Sequence, residues 1–397
     1  MQVGVGIPAA ELEARRERLL AHVRERALTG CVLFGDLAIR YFTNFWFLAT
    51  ERPVVLAIDG AGELTIFVPE FEVERTKAEA SFDRIESYPE YPGLEHPMQI
   101  LAGVLSDLGI RGEIAAEQDG YPGILGYRGP ALSEATGARV ESVAAVVENL
   151  MVHKSEVEIA LIRESGRWCS YAHRVLQDAS RVGVTEADAS LRATREATLA
   201  MLEALGPGYS GQLASSDGAS AGYRGQIGVR SAWAHAVAHD IVFQPGDVLV
   251  TETAAPVWGY NAELERAMVV GEPTDEMRRL FEHMRAAQQV AFDHLRPGVT
   301  CAVVDVAVLA YFEEHGLLGN WRQHTGHGIG LGNHEAPFLD VGDHTTIEPG
   351  MVFTVEPGVY AEGLGGFRHS DTVVVTDDGI EILTDYPSDL ESLTIPL

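Results

Sequence analysis

Lysine is almost missing from this chain of 397 residues: Lys77 and Lys154 are the only two, and arginine supplies nearly all the positive charge. Basic residues of both kinds number 29 against 58 acidic ones, giving a net charge of −29. No nucleic-acid partner is expected, because phosphate recognition needs a basic face that displaces counterions. Anionic membrane surfaces are disfavoured for the same reason. Cysteine is scarce as well: Cys31, Cys169 and Cys301 are odd in number and far apart. They form neither a disulfide framework nor a Cys-x-x-Cys metal motif, and read as buried small hydrophobes in a reducing cytoplasm. No apolar run reaches the ~18 residues of a membrane span. The N-terminal stretch lacks the positive segment and apolar core of a signal peptide. The expected compartment is therefore the cytoplasm. High salt and a GC-rich genome would both account for the acidic, lysine-poor composition.

What remains is ordinary globular usage, 46% hydrophobic and 22% charged, in a chain long enough for two or three domains at ~150 residues each. Helical spacing of Leu12, Leu19, Leu20 and Val23 predicts a helix over Pro8–Ala27, stopped at Gly30. Cys31-Val-Leu-Phe, Tyr41-Phe-Thr, Pro53–Ile58 and Leu64–Val68 read as strands. This alternation gives a first α/β domain over residues 1–150. A second domain over 151–397 opens with a helix over Glu156–Ala179, and Thr185 with Asp188 resembles a capping box. A further helix over Glu276–Leu295 carries Met277, Leu280, Phe281, Met284, Ala287 and Ala291 on one face, and Thr300 is the expected N-cap of the next. Val248–Thr253, Ala267–Val270, Met351–Glu356 and Thr372–Thr376 read as strands.

Histidines and carboxylates gather at strand ends and in glycine-rich loops of the second half. They are His235; Glu252 through Tyr260, Glu263, Glu265 and Arg266; Gly326-His327-Gly-Ile-Gly with His334; Glu356-Pro-Gly; and Gly366-Phe-Arg368-His369-Ser370-Asp371. Singly, each is more often a turn residue or a solvated carboxylate. If Glu252, Glu263, Glu265 and Glu356 share a cleft, their repulsion raises some pKa values or demands a cation. That cation is a metal, a positively charged substrate, or Arg266 and Arg368.

The order and spacing of these five motifs resemble the creatinase, prolidase, aminopeptidase P and methionine aminopeptidase family, the pita-bread hydrolases. The resemblance spans the last ~240 residues, with a looser match around Gly35-Asp36 and Tyr41–Phe45 to the family's N-terminal domain. It implies an α/β (α+β) fold: a pita-bread catalytic domain over 151–397 behind a smaller creatinase-type domain over 1–150, in a homodimer. In the family's metallopeptidases two ions sit among two aspartates, a histidine and two glutamates. The matching positions here are Glu252, Glu263, His327, Glu356 and Ser370, so two aspartates become glutamates and the bridging glutamate becomes a hydroxyl, a poor ligand for a dication.

That departure, with Leu264-Glu265-Arg266, is similar to metal-free creatinase, to which ectoine hydrolases are allied. The resemblance implies a hydrolase that cleaves a C–N bond in a small cationic or zwitterionic molecule without a dinuclear centre or other cofactor. His235, His327, His334 and Glu356 are the implied catalytic residues, with His235 as general base, since no Lewis acid would then lower the pKa of water. Glu265, Arg368 and Tyr260 are the implied substrate-binding set. The alternative is a metal-dependent Xaa-Pro dipeptidase or aminopeptidase with altered ligands, with Glu252, Glu263, His327 and Glu356 around a single Mn, Zn, Fe or Co ion. A lyase on the same fold and a non-catalytic binding protein are further alternatives.

Overall fold

The computed structural model describes residues 6–209 and 218–397. Residues 1–5, where the N-terminal stretch read above begins, lie outside the described residues. The chain divides into two compact units, Gly6–Met151 and Val152–Leu397.

The N-terminal unit is built on a six-stranded sheet of β1 (Gly30–Leu33), β2 (Val55–Asp59), β3 (Leu64–Pro69), β4 (Arg84–Tyr88), β5 (Glu113–Ala116) and β6 (Arg139–Ser142), in the order β4-β3-β2-β1-β5-β6. β1, β2 and β3 pair antiparallel; the other pairs are parallel. Val32, Phe34, Val55 and Phe67 pack on Met98, Leu101 and Leu105 of the helix Pro97–Asp107. Each such burial contributes about 1.5–3 kcal/mol. The first helix, Ala9–Glu25, follows its predicted spacing. Tyr41-Phe-Thr does not: it is the last turn of a helix, Asp36–Thr43, closed by Asn44 at φ 59°. Six consecutive residues of this helix, Ala38–Thr43, are buried. Asp36 at its start is exposed, and its aromatic, β-branched end imitates a strand.

In the second unit the helix Glu156–Ala179 has the predicted bounds and a reciprocal cap. Ser155 Oγ accepts from the Glu158 N–H, and Glu158 accepts from the Ser155 N–H. Thr185 caps its helix through the Asp188 N–H. Asp275–His294 buries the predicted stripe and adds Gln288 to it. Thr300 precedes the helix Cys301–Glu314 without a side-chain cap bond. All three cysteines are free and buried. Among the described residues no helix is long and apolar enough to cross a membrane.

The large sheet of this unit runs β13-β12-β14-β17-β10-β9-β7, with β18 paired to β17. Its strands are β7 (Ser220–Gly222), β9 (Glu252–Ala254), β10 (Glu263–Glu265), β12 (Gly326–Gly328), β13 (Glu335–Leu339), β14 (Val352–Val355), β17 (Ser370–Thr376) and β18 (Gly379–Ile382). β8 (Val248–Val250) and β11 (Ala267–Val270) form a second sheet with β19 (Thr394–Ile395), and β15 (Gly358–Ala361) pairs with β16 (Gly365–Arg368). The predicted strand Val248–Thr253 is thus two strands in different sheets. The joint is Thr251, which faces Arg266: the Thr251 N–H donates to the Arg266 carbonyl (3.0 Å), and the Arg266 N–H donates to Thr251 Oγ1 (2.9 Å). The Arg266 guanidinium locks the joint through the carbonyls of Glu265, Ser370, Tyr386 and Pro387 and the Asp371 carboxylate.

Candidate active site

Alternation along strands gathers the site. Glu263 and Glu265 lie two residues apart on β10, and Glu265 is in register with Ser370. Thr372 is in register with Thr354, so Glu356, just past β14, falls on the same face. His327 on β12 joins them, its N–H donating to Thr354 Oγ1 (3.1 Å). The glycines around His327 are steric: a Cβ on Gly326 would lie 2.0 Å from the Thr354 carbonyl oxygen, and one on Gly328 2.7 Å from that of Ala336.

Glu263, Glu265 and Glu356 line a cleft of about 430 Å³, with His235, His324, His334, Glu252 and Arg224 on its walls and His327 buried behind it. His235 is exposed at the rim. Its loop is tied down where the Ala234 carbonyl accepts from Gln226 and Arg368. The His334 ring stacks on that of His327, centroids 3.7 Å apart and planes 15° apart.

Each of the four carboxylates has its own partner. Glu265 binds Arg368 through both oxygens, one of them 2.6 Å from Nη2, and each residue is only 2% exposed. Glu252 meets Arg224 at 2.5 Å. Glu263 accepts from Ser370 Oγ at 2.8 Å. Glu356 lies 3.2 Å from His327 Nε2 and 3.7 Å from Arg368 Nε.

The partners separate the protonation states. Burial, with Glu356 and Glu265 nearby, raises Glu263 well above the usual carboxylate range. Burial also opposes ionisation of Glu356, but the His327 hydrogen bond and the Arg368 charge outweigh it and hold Glu356 below its ordinary value. Burial would neutralise His327; Glu356 and Glu263 instead raise it to about 9. Burial and the neighbouring His327 charge lower His334. An ionised carboxylate and a neutral imidazole thus share the cleft, the separation that acid–base chemistry uses.

Four expectations need correction. Tyr260 is not in the cleft: it is 2% exposed and donates to Glu158 at 2.8 Å, supporting the helix Glu156–Ala179. Tyr260→Phe should therefore cost about 1–3 kcal/mol in denaturant unfolding and leave KM unchanged. Glu265 is not available to a cationic substrate, because Arg368 takes both its oxygens. Glu252 lies outside the group formed by the other candidate metal ligands, with Arg224 Nε 2.5 Å from its carboxylate. Arg266, considered above as a counter-charge, points instead to Asp371.

The described residues offer one candidate group for a divalent ion. Glu263, His327 and Glu356 place donor atoms within 4.8 Å of one another, and no other such group occurs among the described residues. Two carboxylates and an imidazole suit a divalent transition metal. A second ion would need Glu252, which is ion-paired, and Ser370, whose hydroxyl is spent on Glu263. Arg224 was absent from the sequence-based site. Its one signal is an arginine framed by Gly222 and Gly225.

The profile of metallopeptidase family M24 matches residues 160–377, and that of the creatinase/prolidase N-terminal domain matches 15–150. The chain is 27% identical over 374 residues to a Xaa-Pro dipeptidase of Pyrococcus furiosus, covering 94% of this chain and 98% of that one. It is 29% identical over 385 residues to a probable dipeptidase PepE of Mycobacterium tuberculosis, covering 96% of each. Among solved structures, a Xaa-Pro dipeptidase from Bacillus anthracis superposes with TM-score 0.80 at 28% identity, over 97% of this chain and all of that one. Dipeptidase PepE from Mycobacterium ulcerans gives 0.81 at 26%, over 99% of this chain and all of that one. These relatives favour the peptidase alternative over the creatinase-like reading.

Proposed function

This chain belongs to metallopeptidase family M24 and is a hydrolase of C–N bonds; from that premise we propose that it is a metal-dependent dipeptidase working with a single ion. The observation that carries the proposal is the convergence of Glu263, His327 and Glu356 at a cleft of dipeptide size. A divalent ion bound there supplies Lewis-acid polarisation of the scissile carbonyl and acidifies water. Glu356, with the Arg368 charge 3.7 Å away favouring its ionised form, would accept the proton of the attacking water at its carboxylate. His334, kept neutral on the face of His327, would take up that proton from Glu356 and deliver it to the leaving nitrogen. Arg368 and Glu265 fix the floor of the cleft, and His235 stands at the rim to orient the substrate.

A second reading, metal-free cleavage of a small amide or amidine with His235 as base, is favoured by Ser370 at the bridging position. A panel of Xaa-Pro dipeptides, other dipeptides, creatine and ectoine, assayed after chelation and again with Mn²⁺, separates the two. Dipeptide turnover that vanishes on chelation and returns with Mn²⁺ is expected. Metal-independent turnover of creatine or ectoine, lost in His235→Ala by ~10²–10⁴, would overturn it.

A further inference from the structure

We propose that Arg224 takes the place of the second ion, so that this site pairs one metal with one guanidinium. The inference rests on the metal-dependent reading above. It starts from the geometry of Arg224, which lies opposite a carboxylate at a metal-ligand position rather than a substrate. Glu252 meets its Nε at 2.5 Å and lies outside the group formed by Glu263, His327 and Glu356. That Glu252 oxygen has no hydrogen-bond partner, but the guanidinium beside it sets a fixed positive charge against the carboxylate without a cation from solution.

The aim of Arg224 is built into the fold. Its backbone sits at φ 49°, in the left-handed region that non-glycine residues seldom adopt. Gly225 follows at φ 72°, packed so closely that a Cβ there would lie 2.1 Å from the Val237 carbonyl oxygen. The Gly225 N–H donates to Glu186 Oε1 at 2.6 Å, and the Glu186 carboxylate, only 3% exposed, also accepts from the His239 N–H at 3.1 Å. A buried carboxylate on the helix Glu186–Leu205 thus holds the strained turn in place from behind.

Ser370 is the complementary change. A bridging carboxylate at this position would add negative charge suited to two cations. The hydroxyl adds none and donates to Glu263 instead. Removing one anion and inserting one fixed cation moves the local charge in the same direction, away from a second dication. The guanidinium carries five N–H donors and its side chain is 43% exposed. Donors remain for a substrate oxygen, the contact a second ion would otherwise make.

The experiment loads purified full-length protein with Mn²⁺, removes free metal, and reads metal per chain by elemental analysis and spin coupling by electron paramagnetic resonance. The unaltered protein should hold one ion per chain with an uncoupled Mn²⁺ spectrum. Ser370→Glu alone should still hold one, because Arg224 keeps Glu252. Ser370→Glu with Arg224→Ala should hold two and give an exchange-coupled spectrum. Arg224→Gln alone should bind its single Mn²⁺ about tenfold more tightly as like-charge repulsion is lost; unchanged affinity counts against the proposal even if the double variant fails to fold. A second coupled ion in the unaltered protein or in Ser370→Glu would overturn the guanidinium assignment while leaving the dipeptidase reading intact. No bound ion in an enzyme that still hydrolyses its substrate would overturn both.

Discussion

Arg368→Met is expected to lower unfolding stability by roughly 3–5 kcal/mol, measured as a shift in urea midpoint at unchanged m-value. The arginine is buried with Glu265, and its remaining donors reach Tyr360 Oη (3.1 Å) and the Ala234 carbonyl (3.3 Å). Removing it strands a carboxylate beside Glu356 and Glu252, where ionisation is already opposed by burial. Pairing the change with Glu265→Gln removes the stranded charge, so the double variant should lose much less than the sum of the single losses. If the losses simply add, the two side chains are not coupled and the floor of the cleft has been misread. Turnover should fall as well, because Tyr360 also donates to Gln323 (2.7 Å), which in turn donates to the Glu356 carbonyl (3.0 Å).

Glu356→Gln is expected to reduce kcat by ~10²–10⁴ while the fold survives, since the amide keeps the shape but cannot take a proton. An independent signature accompanies the loss. Glu356 is the main group raising His327 to about 9, so the His327 titration, followed by NMR in metal-free protein, should move down when the charge is removed. A variant that retains kcat within tenfold would place the base elsewhere, with His235 as the next residue to replace. A kcat loss with His327 still titrating near 9 would mean that Glu263 alone holds the imidazolium.

The fold was legible because the order and spacing of five motifs resemble those of a known family, while local spacing gave individual helices. The stretch around His327, read as a glycine-rich loop, is a strand pressed against another, and Glu263–Glu265, not read as a strand, is one whose alternation sets both glutamates on one face. What could not be read was partnership. Arg368 and Glu265 stand 103 residues apart in the chain, and no spacing rule says that they meet. Counting acidic side chains suggested a cluster in search of a cation; of the two arginines offered, Arg368 answers it and Arg266 does not, while Arg224, on a turn, was not foreseen. Tyr260 misled for the opposite reason: its position in a recognised motif reflects support of a helix. The helix Asp36–Thr43 was missed because its short aromatic and β-branched end, Tyr41-Phe-Thr, has the composition of a strand.

The near-absence of lysine turns the protein into a chemical reporter of its own opening. Apart from the α-amine, an acylating reagent meets two primary amines in the whole chain. Lys77 is 52% exposed and pairs loosely with Glu74 at 3.3 Å, so it reacts as a free surface amine. Lys154 is 2% exposed and bonded to Glu335 at 2.7 Å, so it stays silent until the segment carrying Glu335 lets go. Glu335 follows His334, which lines the cleft. The slow second label therefore times excursions of that wall, and its slowing by a bound ligand would report occupancy without an assay of turnover.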